Sequence, residues 1–408
     1  MKINLNPSLC FLWLLLCAIS IAGWLAYMHL TRPKPAPPSK IWKNAPYEFA
    51  IGIYTGGSPI AIAPSAQIRN PVFTAADITD FPACFVADPF VARDANGWYL
   101  FFEALNAVTL RGNIAVATSP DGLKWTYRQV VLDEPFHLSY PQVFQWGTNW
   151  YMLPEAARSG QVRLYRATEF PWKWALATNL LDGAYVDTSL LHHAGRWWLF
   201  ATPRHSWKTL NLFSADQPTG PWKPHPCSPI IVNNSNIARP GGRMIVHEGT
   251  PIRYAQDADP TYANALHAFR ITSLTPNGYS EEPVAQDPLL CAAGTGWNGL
   301  GMHQIDAVSI APGQWRAYVD GVGAARPAHW TDAAFTNGMR LDGLSVRPAK
   351  VRAGQPVYLQ FFWTKSQTNA APLTAFAHFG RNRKERIFQF DSPLAPRQDY
   401  YETLITVP

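Results

Sequence analysis

A short phrase returns five times along this chain. An apolar segment opens on a proline or a small residue, passes a glycine-centred turn, and runs back through aromatics to a polar residue. The first copy is Ala87-Asp88-Pro89-Phe90-Val91, Asn96-Gly97, then Trp98-Tyr99-Leu100-Phe101-Phe102-Glu103. The second is Ser139-Tyr140-Pro141-Gln142-Val143, Gly147, then Trp150-Tyr151-Met152-Leu153-Pro154-Glu155. The third is Val186-Asp187-Thr188-Ser189-Leu190, Gly195, then Trp197-Trp198-Leu199-Phe200-Ala201-Thr202. The offset is the same from Pro89 to Glu103, from Pro141 to Glu155 and from Thr188 to Thr202. The fourth copy, Arg239-Pro240 to Tyr254-Ala255-Gln256, is slightly longer, and the fifth, Asp306-Ala307 to Tyr318-Val319-Asp320, slightly shorter.

A recurrence of roughly 40–50 residues built from short strands is the mark of a propeller, with one four-stranded sheet per blade. One blade cannot cover both of its faces, so neighbours stack around an axis. The expected fold is all-β: a five-bladed β-propeller over 46–334, with blades near 81–134, 135–182, 183–232, 233–297 and 298–330. The strand-like piece Phe49–Tyr54 precedes the first copy and is expected to join the last blade and close the ring. The first strand of each blade should line the channel. Strand starts and following strand ends then converge at one mouth, which brings together Asp88, Glu103, Tyr140, Glu155, Asp187, Arg239, Gln256, Asp257, Asp306 and Asp320.

Outer strands recur as well, at Gly112–Ala117, Gly160–Tyr165, Thr209–Phe213 and Ala265–Phe269, with the alternation of half-buried strands. Asp121-Gly122 marks a tight, structural hairpin. After residue 335 the rhythm changes. Leu344–Val346, Val357–Trp363, Thr374–Phe379 and Arg386–Phe390 read as strands of a small β-sandwich over 335–408.

A hydrophobic fraction of 47% with 15% charged residues describes a globular chain. The 17 tryptophans serve blade packing first, with exposed ones available as platforms for sugar rings. The formal charge is +6, but Lys2, Arg32, Lys34 and Lys40 stand in a stretch without acids and supply most of it. The remainder is nearly neutral and carries no basic stripe, which excludes a nucleic-acid partner.

Residues 9–30 are almost unbroken apolar, long enough to cross a bilayer as an uncleaved single-pass anchor after a short tail at 1–8. A cleaved signal peptide is the rival reading. Basic residues beyond the span would keep the body in the cytoplasm. The Pro-rich stalk at 31–45 and the Trp-rich body favour export, which places the propeller on the periplasmic or extracytoplasmic side of an inner or plasma membrane. Cys84, Cys227 and Cys291 have no metal spacing and allow at most one disulfide; buried thiols are expected.

Asp88 and Asp187 open the inner strands of the first and third blades. Glycoside cleavage needs two carboxyl groups, one to protonate the leaving oxygen and one to activate water or attack carbon. The plainer role for an acid before proline is to accept strand-end amides. Glu155 ends a strand among aromatics, where shielding would keep it protonated, and a buried structural role is its alternative. His303 is the reserve acid. Its alternative is to hold a structural cation or a water on the axis; no other cofactor or metal is expected. Arg239, His137 and Tyr140 would hold substrate, with Glu103, Gln256, Asp257, Asp306 and Asp320 around them. Arg239 suits an anionic group on a sugar, or a buried ion pair with Asp187 or Glu155.

The pattern Ala87-Asp88-Pro89 followed by Val186-Asp187-Thr188-Ser189-Leu190 resembles the five-bladed arabinanase, xylosidase and invertase superfamily. That resemblance implies Asp88 as base or nucleophile and Asp187 as the tuner of pKa. Those enzymes take their acid from Glu-Gly-Pro at the start of the fourth blade, where this chain has Ala238-Arg239-Pro240, and Glu248-Gly249 falls at a hairpin turn. A longer likeness spans about 48–330. Phe85–Phe90, Glu134–Pro141, Leu164–Ala167, Trp197–Thr202 and Ala238–Arg243 are similar to the amino-terminal propeller of plant glucosamine inositolphosphorylceramide transferases and bacterial relatives. Gly354–Trp363 resembles the immunoglobulin-like appendage of some envelope glycosyltransferases. These resemblances imply a glycan or glycolipid setting. Three functions follow as expectations: a propeller that hydrolyses or processes an envelope glycan, a non-catalytic glycan-binding module beside a glycosyltransferase or export machine, or a protein scaffold.

Overall fold

Each recurring phrase folds as the innermost antiparallel pair of its own sheet. The computed structural model describes residues 2–4, 47–334, 339–365, 373–382, 385–394 and 400–406. The expected anchor at 9–30 and stalk at 31–45 lie outside the described residues. Among the described residues no helix is long and apolar enough to cross a membrane.

Three sheets follow strictly in chain order. The first is Ala83–Asp94, Gly97–Asn106, Arg111–Ser119 and Thr126–Leu132. The second is Ser139–Trp146, Asn149–Glu155, Gln161–Glu169 and Lys173–Asp182. The third is Tyr185–His193, Arg196–Pro203, Asn211–Ala215 and Lys223–Pro224. A fourth runs Arg239–Pro240, Thr250–Asp257, Ala265–Thr275 and Gly278–Pro283, with two short side strands. In the fifth, Ile305–Ala311 and Gln314–Ala324 are completed by Tyr47–Ser58 and Ala61–Pro64 from the start of the described body. Tyr47–Ser58 pairs with Gln314–Ala324 from Tyr47↔Ala324 to Gly56↔Trp315, so the expected closure by an early strand is what the topology contains. The result is an all-β, propeller-like body.

The inner strands are buried on both faces. Gly97–Asn106 has seven consecutive buried residues, from Trp98 to Ala104, because a neighbouring sheet covers each side. Outermost strands such as Thr126–Leu132 are largely open to solvent, with Leu132 its one buried residue. Aromatics mortise the sheets together. Phe101 packs against Phe170 and Trp174 of the second sheet, and Trp98 and Trp125 pack on Tyr318 of the fifth.

Hydrogen bonds then link every sheet to the next around the centre. Asp88 Oδ2 accepts the Tyr140 amide at 3.1 Å, from first sheet to second. The Gln142 side chain donates to Leu190 O at 3.0 Å and accepts the Leu190 amide at 2.9 Å, from second to third. Ser189 Oγ donates to Gly242 O at 3.2 Å, from third to fourth. The Ile305 amide donates to Gly241 O at 2.9 Å, from fourth to fifth. Gln304 Nε2 donates to Pro89 O at 2.9 Å, and the circuit closes. Gly242 permits the fourth contact, since a Cβ there would sit 1.9 Å from Ile305 O.

Arg243 stands at the hub. Its guanidinium donates to Asp306 twice, at 2.6 and 3.0 Å, to Val143 O at 2.6 Å and to Val91 O at 3.0 Å. One side chain of the fourth sheet thus ties together the first, second and fifth.

The strands expected after 335 are present. His329–Ala334, Met339–Arg347, Pro356–Lys365 and Tyr400–Thr406 form one sheet, and Leu373–Asn382 pairs with Glu385–Leu394. Arg347 docks this segment by donating to Glu48 at 2.7 Å and to Cys84 O at 2.9 Å. Cys84, Cys227 and Cys291 are free thiols, as expected, but not buried ones: Cys84 is half-buried, and Cys227 and Cys291 are exposed, the first in a connection and the second in the short side strand Leu290–Cys291.

Replacing Arg243 with methionine should leave Asp306 buried without its partner and lower unfolding free energy by about 3–5 kcal/mol. Urea denaturation checks this. A loss under about 1 kcal/mol would show that the hub is dispensable.

Candidate functional site

The inner strands of the first three sheets carry the same irregularity at the same place. Their register slips between Ala87 and Phe90, between Ser139 and Gln142, and between Val186 and Ser189. At each slip one residue adopts a left-handed backbone: Asp88 at φ 54°, Tyr140 at φ 48° and Asp187 at φ 45°. A bulge of this kind re-aims a side chain that regular pleating would send into a sheet-to-sheet interface. Aspartate tolerates the conformation better than most residues, whereas tyrosine does not. Tyr140 is held by its backbone N–H, which donates a hydrogen bond to Asp88 Oδ2, and by its hydroxyl, 2.9 Å from Ser189 Oγ.

Above the bulges opens a cavity of about 510 Å³. Asp88, Glu103 and Glu155 form its acidic wall, Arg239, Arg158 and Arg204 its basic one, and Trp207, Tyr262 and Phe85 its aromatic one. His137 and His205 also line it.

Burial dominates the acids. It pushes the Asp88 carboxyl up to about 7; the His303 charge pulls the other way, and Asp187 and Asp320 add to the rise. Glu103 is held well above the usual carboxylate range, first by burial and then by the charge of Asp88. Glu155 is likewise held well above it, by burial and by Asp187, with Arg239 only partly opposing. Glutamates so placed keep their protons near neutrality.

His137 is neutral for a related reason. Its Nδ1 accepts the Gly112 amide at 2.9 Å, which fixes the proton on Nε2, 3.4 Å from Glu103 Oε1. Burial, then the charge of Arg158, lowers its pKa to about 4. Gly112 is needed for the approach: a Cβ there would lie 2.7 Å from Glu103 Oε1 and 2.2 Å from Leu138 O.

Behind the wall, Asp187 Oδ2 accepts from Arg239 Nε at 2.5 Å and from Gln256 Nε2. Arg239 reaches Glu155 less closely, at 3.9 Å. Its guanidinium lies against both Trp207 and Tyr262, 5.2 and 5.1 Å from their ring centres, which pack on each other at 6.0 Å. Beneath Asp88, His303 Nδ1 meets Asp320 Oδ1 at 2.7 Å while Nε2 lies 3.6 Å from Asp88 Oδ1. Burial lowers the His303 pKa, but Asp320 outweighs it and the net shift is upward. Asp88, His303 and Asp320 offer one ligand atom each within 4.8 Å, a grouping able to hold a metal ion. Its internal bonds already describe a satisfied ion pair: Asp320 Oδ1 also accepts the Gln304 amide at 3.0 Å, and Oδ2 the Asp88 amide at 2.9 Å.

The structure therefore sorts the sequence candidates by depth. Asp88, Glu103, His137, Glu155 and Arg239 line the cavity. Asp187 and His303 stand one layer behind it, so His303 is placed as a support for Asp88 and not as an acid facing substrate. Tyr140, Gln256, Asp306 and Asp320 are fully buried in the ring and engaged there. Asp257 holds a loop through Asn236 and Asn264, both at 2.7 Å. Glu248 takes the hairpin corner between Ile245–His247 and Thr250–Asp257, as its sequence position implied. Arg158, Arg204, His205, Trp207 and Tyr262 were not read as site residues. They sit in loops, where no strand periodicity marks them.

The family model described as glucosamine inositolphosphorylceramide transferase 1, N-terminal, matches residues 43–322. The rice protein glucosamine inositolphosphorylceramide transferase 1 (Oryza sativa subsp. japonica) is 35% identical over 341 residues, covering 78% of this chain and 46% of its own length. The Arabidopsis thaliana protein of the same name is 31% identical over 336 residues, covering 76% and 44%. The chain thus spans less than half the length of these relatives. Among solved structures, an α-L-arabinofuranosidase from Podospora anserina superposes with a TM-score of 0.43 at 12% identity, over 69% of this chain and 97% of that one. The Bacillus subtilis arabinanase gives 0.41 at 14% identity, over 59% and 94%.

The raised Asp88 pKa has a consequence for folding. Unfolded, the group ionises near pH 4; folded, it keeps its proton to about pH 7. Stability contributed by the protonated form is therefore lost as pH rises through that window. Asp88→Asn should gain on the order of 1–3 kcal/mol relative to wild type at pH 8 compared with pH 5. Thermal unfolding at both pH values reads this, and equal differences at the two would refute it.

Proposed function

This chain belongs to the glucosamine inositolphosphorylceramide transferase 1 N-terminal family, and on that footing we propose that it is a carbohydrate-active propeller acting on an envelope glycan or glycolipid by carboxylate chemistry. The observation that carries the reading is the single cavity in which three buried carboxyl groups face a wall of aromatic rings. Buried acids of raised pKa in a cleft mark sites of proton transfer.

Asp88 is assigned as the base that activates water or attacks carbon. His303 and Asp320 hold it from below, and the proximity of the imidazolium favours its ionised form. Glu155 is the acid: it lines the cavity, and burial keeps it protonated. Asp187 acts through Arg239, which it anchors. Glu103 and His137 form a neutral, hydrogen-bonding wall for sugar hydroxyls. Trp207 and Tyr262 supply flat faces for a ring.

The proposal extends to the wider architecture: a five-bladed propeller over 46–334, a small sandwich over 335–408, and a single-pass anchor at 9–30 that places the body on the extracytoplasmic side of an inner or plasma membrane. An envelope glycosyltransferase is the natural partner. The transferase activity in the relatives' names is not assigned to this chain, which aligns with under half of their length.

A second reading has its own support. Ala238-Arg239-Pro240 stands where the hydrolases resembled by this chain carry Glu-Gly-Pro, so the acid's position is an alanine, and Arg239 beside it is locked to Asp187. A glycan-binding module without turnover would be built this way.

Asp88→Asn separates the two. In an enzyme, release of sugar from envelope polysaccharide should fall about 10²–10⁴-fold while the fold survives. Retained glycan affinity with no product from wild type or variant would replace catalysis by binding.

A further inference from the structure

Three arginines line the cavity, and they are not alike. Arg239 is neutralised by Asp187 and braced by two rings. Arg158 and Arg204 are exposed, and neither has a side-chain hydrogen bond or ion pair among the described residues. Arg158 projects from the turn Ala157–Ser159, just past Glu155 in the second sheet. Arg204 follows the strand Arg196–Pro203 of the third sheet, and its amide is fixed to Ala184 O at 2.8 Å. Both guanidinium groups are close enough to depress the pKa of His137, so their fields overlap inside one concavity.

A solvated surface arginine usually needs no explanation. Here the neighbouring carboxyls do not compensate the charge. Glu103 and Glu155 are held protonated by burial, Asp187 is already paired with Arg239, and Asp88 has His303 beneath it at 3.6 Å. The mouth is therefore positive although its floor is rich in acids. Two guanidinium forks from adjacent sheets, beside Trp207, match an oxyanion and a sugar ring held together.

We propose that the cavity takes a sugar bearing an oxyanion, a phosphate or a carboxylate, seated between Arg158 and Arg204. This rests on the reading of the cavity as a glycan site and names the class of glycan. Arg239, which the sequence marked for the anion, instead serves as the internal counter-ion of Asp187.

Calorimetric titration of the full chain with glucose and mannose, with their phosphates and uronates, and with inorganic phosphate tests the proposal. At least one charged class should bind about tenfold or more tighter than its neutral parent. The preferred class tells phosphate from carboxylate. Arg158→Ala with Arg204→Ala should abolish the preference. Both residues are exposed, so folding is not at stake. Lysine at both positions should restore part of it. Equal binding of neutral and charged sugars, or a preference that survives the double alanine variant, overturns the anionic assignment and leaves the glycan reading standing. Inorganic phosphate binding as tightly as the sugar phosphates overturns it in favour of a free-anion site. Failure of every sugar to bind removes the glycan reading, and the assignment with it.

Discussion

The structure depends on closing a circle of sheets, none of which can stand alone. Apolar packing between neighbouring faces supplies the attraction, but it is non-directional and fixes neither the order nor the height of the sheets. The directional part lies in the inner strands. Each adjacent pair of sheets shares a hydrogen bond that reaches across the gap, and these contacts form an unbroken circuit. Arg243 and Asp306 reinforce it from the middle. A guanidinium is well suited to that place because its fork satisfies a carboxylate and two carbonyls at once, which an ammonium could not do in one plane. Desolvating such a pair is costly, so its contribution is geometric. It fixes the strands of the first, second and fifth sheets relative to one another.

That circuit also explains why acids accumulate here. Around the slipped registers of the first two inner strands and at the entry to the fifth sheet, carboxylates accept backbone amides: Tyr140 N on Asp88, Val91 N on Asp306, and Asp88 N and Gln304 N on Asp320. Structural demand brings the carboxyl groups to the centre, and function needs only the few that rise to the cavity. The left-handed backbone of Asp88, Tyr140 and Asp187 stores strain that this network must hold in place.

This layering marks what the sequence could reveal. The repeated offset located three inner strand pairs, and the apolar piece at Phe49–Tyr54 announced the closing strand, because both are carried by local pattern. Convergence of Asp88, Glu103, Glu155 and Arg239 followed from that periodicity. Depth did not. Gln256 and Asp320 occupy late strand positions much like those of Glu103 and Glu155, and Asp306 an early one like that of Asp88, yet the ring consumes all three. Arg243 lay within a Gly-Gly-Arg phrase whose spacing carries no hint of a hub. Arg158, Arg204, Trp207 and Tyr262 come from connections, where neither period two nor composition distinguishes a rim residue from a solvated one.

The partition of charge between floor and rim follows from the same geometry. Asp187 binds Arg239 Nε closely and leaves Glu155 at 3.9 Å from the same guanidinium. One cation near two buried carboxyls can neutralise only one of them well, and the closer takes it. Glu155 must then keep its proton or bear an uncompensated buried charge, which is costly. By satisfying Asp187, Arg239 leaves the neighbouring glutamate neutral, and with Glu103 also protonated the unpaired charges of Arg158 and Arg204 set the potential at the mouth. The pairing of Arg239 with Asp187 and the charge of the rim are thus one feature of the fold.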